Sequence, residues 1–315
     1  WMSLNINPRP HPNRPDLVVA RKAYRFSWSG HLLELGPRTC IMGVVNVTPD
    51  SFSDGGKFFD ADAAVAQGEQ LAADGAHILD IGGESTRPFS DPVAPQEELR
   101  RVIPVIEKLA RRVSIPISVD TMKAGVARLA LDAGASLIHD ISALRFDAEM
   151  TRVVAASGVP VILMHMLGDP KSMQVSPVYD DLIVDICGFL ENAMQGAEAN
   201  GVVRSKIIID PGIGFGKTVT HNLLLIKHIE AFRQLDVPIL IGSSRKSFIR
   251  KILKTSHLDD IPADLPIVET GTQATVAAAI LNGAHIVRVH DVANTVATVK
   301  IIDAIRNAQE DVSRT

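Results

Sequence analysis

The feature that most constrains this chain is a regular beat of short apolar runs separated by helical patterns. From Thr39 onward the runs are Ile41–Val45, Ile78–Ile81, Ile117–Val119, Leu137–Ile141, Pro160–Met164, Ile207–Ile209, Pro238–Ile241 and Ile286–Val289. Helical periodicity fills the gaps at Ala61–Ala73, Gln96–Arg112, Met122–Asp132, Ala148–Ala156, Asp180–Ala199, Asn222–Glu230, Ser247–Lys254 and Asp291–Ile305, with a further helix at Gln273–Leu281. Strands that alternate with helices imply parallel βαβ units. Runs that are apolar throughout imply strands covered on both faces. Eight units of roughly 34 residues match a (β/α)8 barrel of about 250 residues better than a doubly wound open sheet. The expected fold is therefore α/β, a single TIM barrel.

An internal repeat supports that reading. Asp74-Gly-Ala-His-Ile-Leu-Asp80, Ala133-Gly-Ala-Ser-Leu-Ile-His139 and Asn282-Gly-Ala-His-Ile-Val-Arg288 share one form. In each, a glycine closes a helix in a left-handed cap and a strand begins. Upstream, Ala23–Leu35 alternates apolar and polar residues around Ser29-Gly30, the pattern of a short N-terminal β-hairpin. Residues 1–22 are proline- and charge-rich without periodicity and are expected to form a flexible arm. One barrel domain then spans 23–315.

Composition narrows the function. With 32 basic and 36 acidic residues the net charge is −4, which argues against nucleic acid or an anionic membrane as partner. Any anion site must be local. Two cysteines, Cys40 and Cys187, suit a reducing compartment rather than a disulfide framework. No run approaches the ~20 apolar residues of a membrane span, and prolines interrupt the N-terminus where a secretory segment would lie. The expected location is cytoplasmic.

In a TIM barrel the site lies at the C-terminal ends of the strands. Here every run ends in a polar group: Asn46, Asp80, Asp120, His139-Asp140, His165, Asp210, Ser243 to Lys246, and Arg288-Val-His290. One such residue can be a cap; eight at one rim are better explained by a ligand. Asp120 and Asp210 suit a heterocycle rich in N–H donors. The cations Arg87, Lys246, Arg288 and His290 suit an anion such as phosphate. Asn46 and Asp54 offer hard oxygens for Mg2+ shared with phosphate. Pro211-Gly-Ile-Gly-Phe-Gly-Lys-Thr218 superficially follows a phosphate-binding loop, but proline occupies its required first glycine. His165, within an apolar run, is expected to be a packed core residue.

These residues lie in segments that resemble the dihydropteroate synthase family. They are Ile41-Met-Gly-Val-Val-Asn-Val-Thr-Pro-Asp-Ser-Phe-Ser-Asp-Gly-Gly56, Asp80-Ile-Gly-Gly-Glu-Ser-Thr-Arg-Pro88, Ser118-Val-Asp-Thr121, Met164-His-Met166, Asp210-Pro-Gly-Ile-Gly-Phe-Gly216, Gly242-Ser-Ser-Arg-Lys-Ser247 and Arg288-Val-His290. The resemblance implies a transferase of folate biosynthesis in which 4-aminobenzoate displaces diphosphate from a dihydropterin-methyl diphosphate, with sulfonamides as competitors. It implies Asp120, Asp210, Lys246 and the His139 position as pterin contacts, and Arg288 packed on the pterin ring. Thr86, Arg288 and His290 fall on the diphosphate side, Pro88, Phe215 and Ser247 in the 4-aminobenzoate pocket, and Asn46 at Mg2+. Lys246, Asp210 and Arg288 are the residues expected to carry catalysis. A homodimer formed by helices of the C-terminal half is also implied.

Two departures stand out: His139-Asp140 replaces the family's usual Asn-Asp, and Leu167 replaces a usual glutamine. A related methyltetrahydrofolate corrinoid methyltransferase would share the carboxylates but has no reason to keep Asn46 or the cluster of Lys246, Arg288 and His290. A non-catalytic barrel paralogue would have lost its rim motifs, and both long ones are intact.

Overall fold

The computed structural model describes residues 21–48, 61–85, 90–255 and 260–308. Strands β1 (Tyr24–Trp28) and β2 (His31–Leu35) form an antiparallel hairpin around Ser29 and Gly30, both at positive φ. Eight parallel strands follow: β3 (Cys40–Asn46), β4 (Ile78–Gly82), β5 (Ile117–Asp120), β6 (Leu137–Asp140), β7 (Val161–Met164), β8 (Ile207–Asp210), β9 (Leu240–Ile241) and β10 (Ile286–Val289). They pair in the order β8-β7-β6-β5-β4-β3-β10-β9. A parallel bridge between Ile209 and Ile239 brings β8 back to the start of β9 and closes the barrel.

The helices are α1 (Ala61–Ala73), α2 (Pro95–Ala110), α3 (Ala124–Asp132), α4 (Met150–Ser157), α5 (Leu182–Ala199), α6 (Val219–Lys227), α7 (Ser247–Leu253), α8 (Pro266–Leu281) and α9 (Val292–Asn307). The expected strands and helices are all present, most within two residues of their read boundaries. Two differ. Helix α8 begins seven residues before the expected Gln273, at a proline suited to a first helical turn. Its opening Pro-Ile-Val-Glu-Thr-Gly-Thr is poor in helix formers, so propensity hid it. Packing supplies the reason for Gly271, where a Cβ would fall 2.6 Å from Ile249 Cγ2 on α7. Strand β9 is shorter than read, since Pro238 has no N–H and Ile239 donates its own to His285 Nδ1 at 3.2 Å.

The strand interiors are uniformly buried, as continuous apolar runs require. The three repeat glycines, Gly75, Gly134 and Gly283, have φ between +108° and +113° at helix ends. The hairpin covers the N-terminal end of the barrel with Phe26, Trp28, Leu33 and Leu35, each buried and each contributing about 1.5–3 kcal/mol of transfer free energy. Trp28 Nε1 donates to the Ser136 carbonyl at 2.6 Å, fixing the plug under β6. Arg21, inside the segment expected as an arm, is itself fastened: it donates to Thr39 Oγ1, the Ala284 carbonyl and Asp303 Oδ1. The hairpin thus occupies the N-terminal end of the barrel, opposite the C-terminal mouth where the strand-end polar residues lie. Among the described residues no helix is long and apolar enough to cross a membrane.

Candidate active site

The residue pattern on β3 sets which side chains line the barrel. A Cβ on Gly43 would meet Val292, Leu71 and Ala76 on the surrounding helices and helix–strand turn, so Gly43 faces outward. Met42, Val44 and Asn46 alternate with it and face inward. Asn46 therefore ends β3 at the mouth, half-buried, and pairs in register with Gly82 of β4.

At the floor of the mouth four ionisable groups meet. Asp80 Oδ2 accepts from Arg288 Nε at 2.6 Å and faces His139 Nδ1 at 3.1 Å. Asp120 Oδ2 accepts from Arg288 Nη2 at 2.9 Å. Burial alone would raise the Asp80 carboxyl, but Arg288 and His139 outweigh it and hold it well below the usual carboxylate range. Asp120 goes the other way: burial, reinforced by the Asp80 charge, pushes it up to about 6 against the pull of Arg288 and His139. Burial disfavours charge on His139, yet Asp80 and Asp120 together raise its pKa above the ordinary imidazole value.

Arg288 thus stands between two carboxylates rather than in a separate cationic half of the rim. Asp80, noted in the sequence only as a strand end, is a missed member of this site. Its signal was the repeat itself, which places Asp80, His139 and Arg288 at equivalent positions. Asp140 is not in the group. Its carboxylate accepts from Ser142 N and Oγ and from Leu144 N, capping the turn after β6.

Lys246 and Asp210 complete the floor on the other side. Lys246 Nζ donates to the Ile213 carbonyl and lies 4.1 Å from the centroid of the Phe215 ring, a cation–π contact. Burial pulls Lys246 down to about 7, with Asp210 and Asp120 favouring its charge and Arg288 opposing it. Asp210 Oδ1 accepts from Gly212 N at 2.7 Å. The backbone then turns through Gly212 at φ +73°, where a Cβ would sit 1.9 Å from the His165 carbonyl oxygen. Glycine is required there because the loop lies directly on the end of β7. The 211–217 loop is therefore a packed wall of the mouth and not a phosphate cradle.

Lys217 closes this loop and was not expected in the site region. It is buried, donates to the Phe215 carbonyl at 2.9 Å and lies 2.9 Å from His165 Nδ1. Burial holds Lys217 well below the ordinary lysine value despite Asp210. Burial and the neighbouring Lys217 and Arg145 push His165 down to about 2, so Nδ1 keeps its lone pair for the amine. His165 is a packed histidine, as read, with Phe189 edge-on at 4.7 Å.

His290 stands at the mouth with Nδ1 2.9 Å from Ser244 Oγ, and Ser247 is exposed at the start of α7. Asp54, Thr86, Arg87 and Pro88 lie outside the described residues, as do the loop segments 49–60 and 86–89. The structure thus brings together Asp120, His139 and Arg288 directly, and Asp210, Lys246 and Phe215 beside them.

Two places bear on a metal. Asp80, Asp120 and His139 offer ligand atoms within 4.8 Å of one another. Arg288 already supplies the cation there, so a divalent ion would have to displace a guanidinium held by two carboxylates. Asn46, an inward-facing neutral oxygen donor at the mouth, suits Mg2+, which takes few protein ligands and completes its shell with phosphate oxygens and water.

Comparison with known proteins agrees with this geometry. The sequence profile of the family described as Pterin binding enzyme matches residues 42–290. A dihydropteroate synthase of Synechocystis sp. is 46% identical over 274 residues, covering 87% of this chain and 92% of that protein. Among solved structures, the Yersinia pestis dihydropteroate synthase in complex with a sulfonamide drug superposes with a TM-score of 0.82 at 42% identity, covering 90% of this chain and 100% of that one. The Xanthomonas albilineans dihydropteroate synthase with 4-aminobenzoic acid gives 0.82 at 42% identity, covering 91% and 100%.

Proposed function

This chain belongs to the pterin-binding enzyme family, and from that premise we propose that it is a dihydropteroate synthase. It is a transferase of folate biosynthesis that joins 7,8-dihydropterin-6-ylmethyl diphosphate to 4-aminobenzoate and releases diphosphate. The observation that carries the reading is likeness over the whole barrel to enzymes of that name, including one solved with 4-aminobenzoic acid.

The chain's own residues supply a consistent chemistry. Asp120 and Asp210 accept hydrogen bonds from the 2-amino and ring N–H groups of the pterin, while Lys246 donates to its carbonyl or a ring nitrogen. Arg288, pinned in plane by Asp80 and Asp120, gives the flat ring a guanidinium to stack on. Thr86, Arg87, Arg288 and His290 face the diphosphate. Asn46 and Asp54 would hold Mg2+, which when bound neutralises charge on the departing diphosphate.

The bond from the pterin methylene to oxygen breaks, and its electron pair leaves with diphosphate. The lone pair of the arylamine then forms the new C–N bond, and the surplus proton passes to water. No protein nucleophile is needed. Phe215, Pro88 and Ser247 form the 4-aminobenzoate pocket, with Phe215 seated beneath the Lys246 ammonium. Sulfonamides, which present the same arylamine, compete there.

A second copy of this chain is the expected partner, through α8 and α9, where Ile267, Ile301 and Ile305 are exposed. Cytoplasmic residence is consistent with two reduced, buried cysteines.

The test is diphosphate release from the pterin diphosphate on addition of 4-aminobenzoate and Mg2+, with dihydropteroate identified as product. Lys246→Ala abolishes formation and leaves cooperative unfolding intact. Near-normal turnover in that variant removes Lys246 from the reaction, and absence of product from the native chain overturns the assignment.

A further inference from the structure

His139 lies in the charged floor of the mouth, and the structure shows what it touches. Asp80 and Asp120 contribute two carboxylates to the floor of the site, and Arg288 contributes one guanidinium bonded to both. Asp80 and His139 are sealed from solvent at 0% and 2% exposure. With a neutral imidazole the group would carry one uncompensated negative charge in a low-dielectric setting, which is strongly unfavourable. One further proton balances it, and two groups can take that proton.

We propose that His139 is a positioning residue for pterin recognition, an imidazolium seated on Asp80 that completes the charge balance so that Asp120 remains a carboxylate able to accept from the ligand. This rests on the dihydropteroate synthase reading and deepens it at one residue.

The charge count of the cluster carries the imidazolium. Nδ1 points at a carboxylate oxygen that already accepts from Arg288, so Nδ1 carries a proton in either state. Nε2 is buried with no partner among the described residues, so the second proton is held there by the field of Asp80 and Asp120. The groups facing His139 are Asp80 from β4, Asp120 from β5 and Arg288 from β10, with Asp140 next to it on β6. From β7 the residue in register is Ile162, which does not titrate. Glu98 acts on Asp120, and Lys246 and Asp210 act on Asp120 and Arg288 from the opposite wall. The two carboxylates closest to His139 favour its charge, and Asp120 is the competing site for the proton.

The consequence is directional. If Asp120 were protonated it would present a donor to a ligand that also presents donors, and recognition would fail there. With His139 charged, Asp120 ionises at lower pH than it otherwise would. An asparagine at 139 can still hydrogen-bond Asp80 but brings no charge. Removing a nearby cation raises the pKa of a carboxylate by about 1 unit or more.

The experiment measures binding of 6-hydroxymethyl-7,8-dihydropterin by calorimetry from pH 5.5 to 8.5 in the native chain and in His139→Asn. Alongside it, the 15N shifts of the native His139 imidazole are followed over the same range. The native affinity is expected to fall on the acid side near pH 6, where Asp120 titrates, and to weaken on the alkaline side in native chain and variant alike as Lys246 loses its proton near 7. In His139→Asn the acid-side fall is expected to begin about one pH unit higher, with affinities converging at pH 8.5 and differing several-fold near pH 6.5. The imidazole is expected to be doubly protonated at pH 7.

A variant weaker by the same factor at every pH has lost packing, and the proposal is then wrong. A native imidazole that is neutral at pH 7 overturns it without reference to any ligand. Absence of pterin binding by the native chain at any pH instead refutes the functional reading on which it rests.

Discussion

Lys246 Nζ lies 4.1 Å from the centre of the Phe215 ring, which couples the half-buried ammonium to the face of an aromatic side chain. An aromatic face attracts a cation more strongly when water is excluded. Burial nevertheless brings Lys246 down to about 7, close to neutrality at physiological pH. On the opposite wall Asp120 stands at about 6. On the roles proposed above, pterin recognition calls for Asp120 ionised and Lys246 charged.

The pH profile of kcat/KM for the pterin diphosphate is therefore expected to be bell-shaped. Activity rises as pH increases through the titration of Asp120 near 6 and falls as Lys246 loses its proton near 7. Lys246→Met lowers turnover by about 100-fold or more, as expected for loss of a preorganised donor. Steady-state kinetics from pH 5 to 9 checks both; a flat profile would falsify the assigned titrations.

Lys217 offers a linkage experiment on stability. Its folded-state pKa is depressed by burial, so between that value and the unfolded value of 10.5 the unfolded chain binds more protons. Its contribution to stability must then increase as pH rises through this window. In Lys217→Met the slope disappears. The native chain is expected to gain melting temperature relative to the variant from pH 7 to pH 9.5. At the alkaline end it is expected to lead by about 1–3 kcal/mol, the cost of leaving the Phe215 carbonyl and His165 Nδ1 unpaired. A constant difference across pH means that Lys217 is charged when folded.

Gly212 is predicted to be intolerant of even one methyl group. Its φ of +73° costs an L-residue about 1–2 kcal/mol, before the clash of a Cβ with the His165 carbonyl oxygen. Gly212→Ala should therefore lose about 2 kcal/mol or more in denaturant titration. It should also weaken pterin binding, because Asp210 is oriented by the Gly212 N–H. Native-like stability in the alanine variant would show that the loop can lift off β7 at little cost.

The placing of Mg2+ at Asn46 and Asp54 is checked with diphosphate itself. In the presence of a bound pterin, calorimetric affinity for diphosphate is expected to fall by about tenfold or more when a chelator removes the metal. Asn46→Ala is expected to remove most of that metal dependence. Equal affinity with and without Mg2+ counts against both ligands.

Much of the barrel was legible because parallel strands covered on both faces must be apolar throughout, and eight such runs at regular spacing leave little choice of fold. The repeat was read for the fold alone, although its last positions, Asp80, His139 and Arg288, meet at the floor of the mouth. Legibility ended where tertiary packing overrules local preference. The first two turns of α8 follow from contact with α7 at Gly271, which no window of the sequence contains. The Asp80–Arg288 bond spans 208 positions, so charge type alone suggested a cationic rim where the structure has an alternating cluster. Lys217 drew no role of its own from the sequence, because nothing local reports that its amine is folded inward against His165.

The way the barrel closes has a mechanical consequence. Strands β3 to β8 and the contact of β3 with β10 are laced by runs of backbone bonds, whereas β8 and β9 meet at the single bridge of Ile209 and Ile239. Asp210 follows Ile209 at the end of β8, and Lys246 lies five residues beyond the end of β9. The pocket thus has two jaws that meet at this seam, one ending at Asp210 on β8 and the other at Lys246 beyond β9. A ligand that grips both jaws acts as the clasp of the hoop, and amide exchange at Ile209 and Ile239 should slow when it is seated.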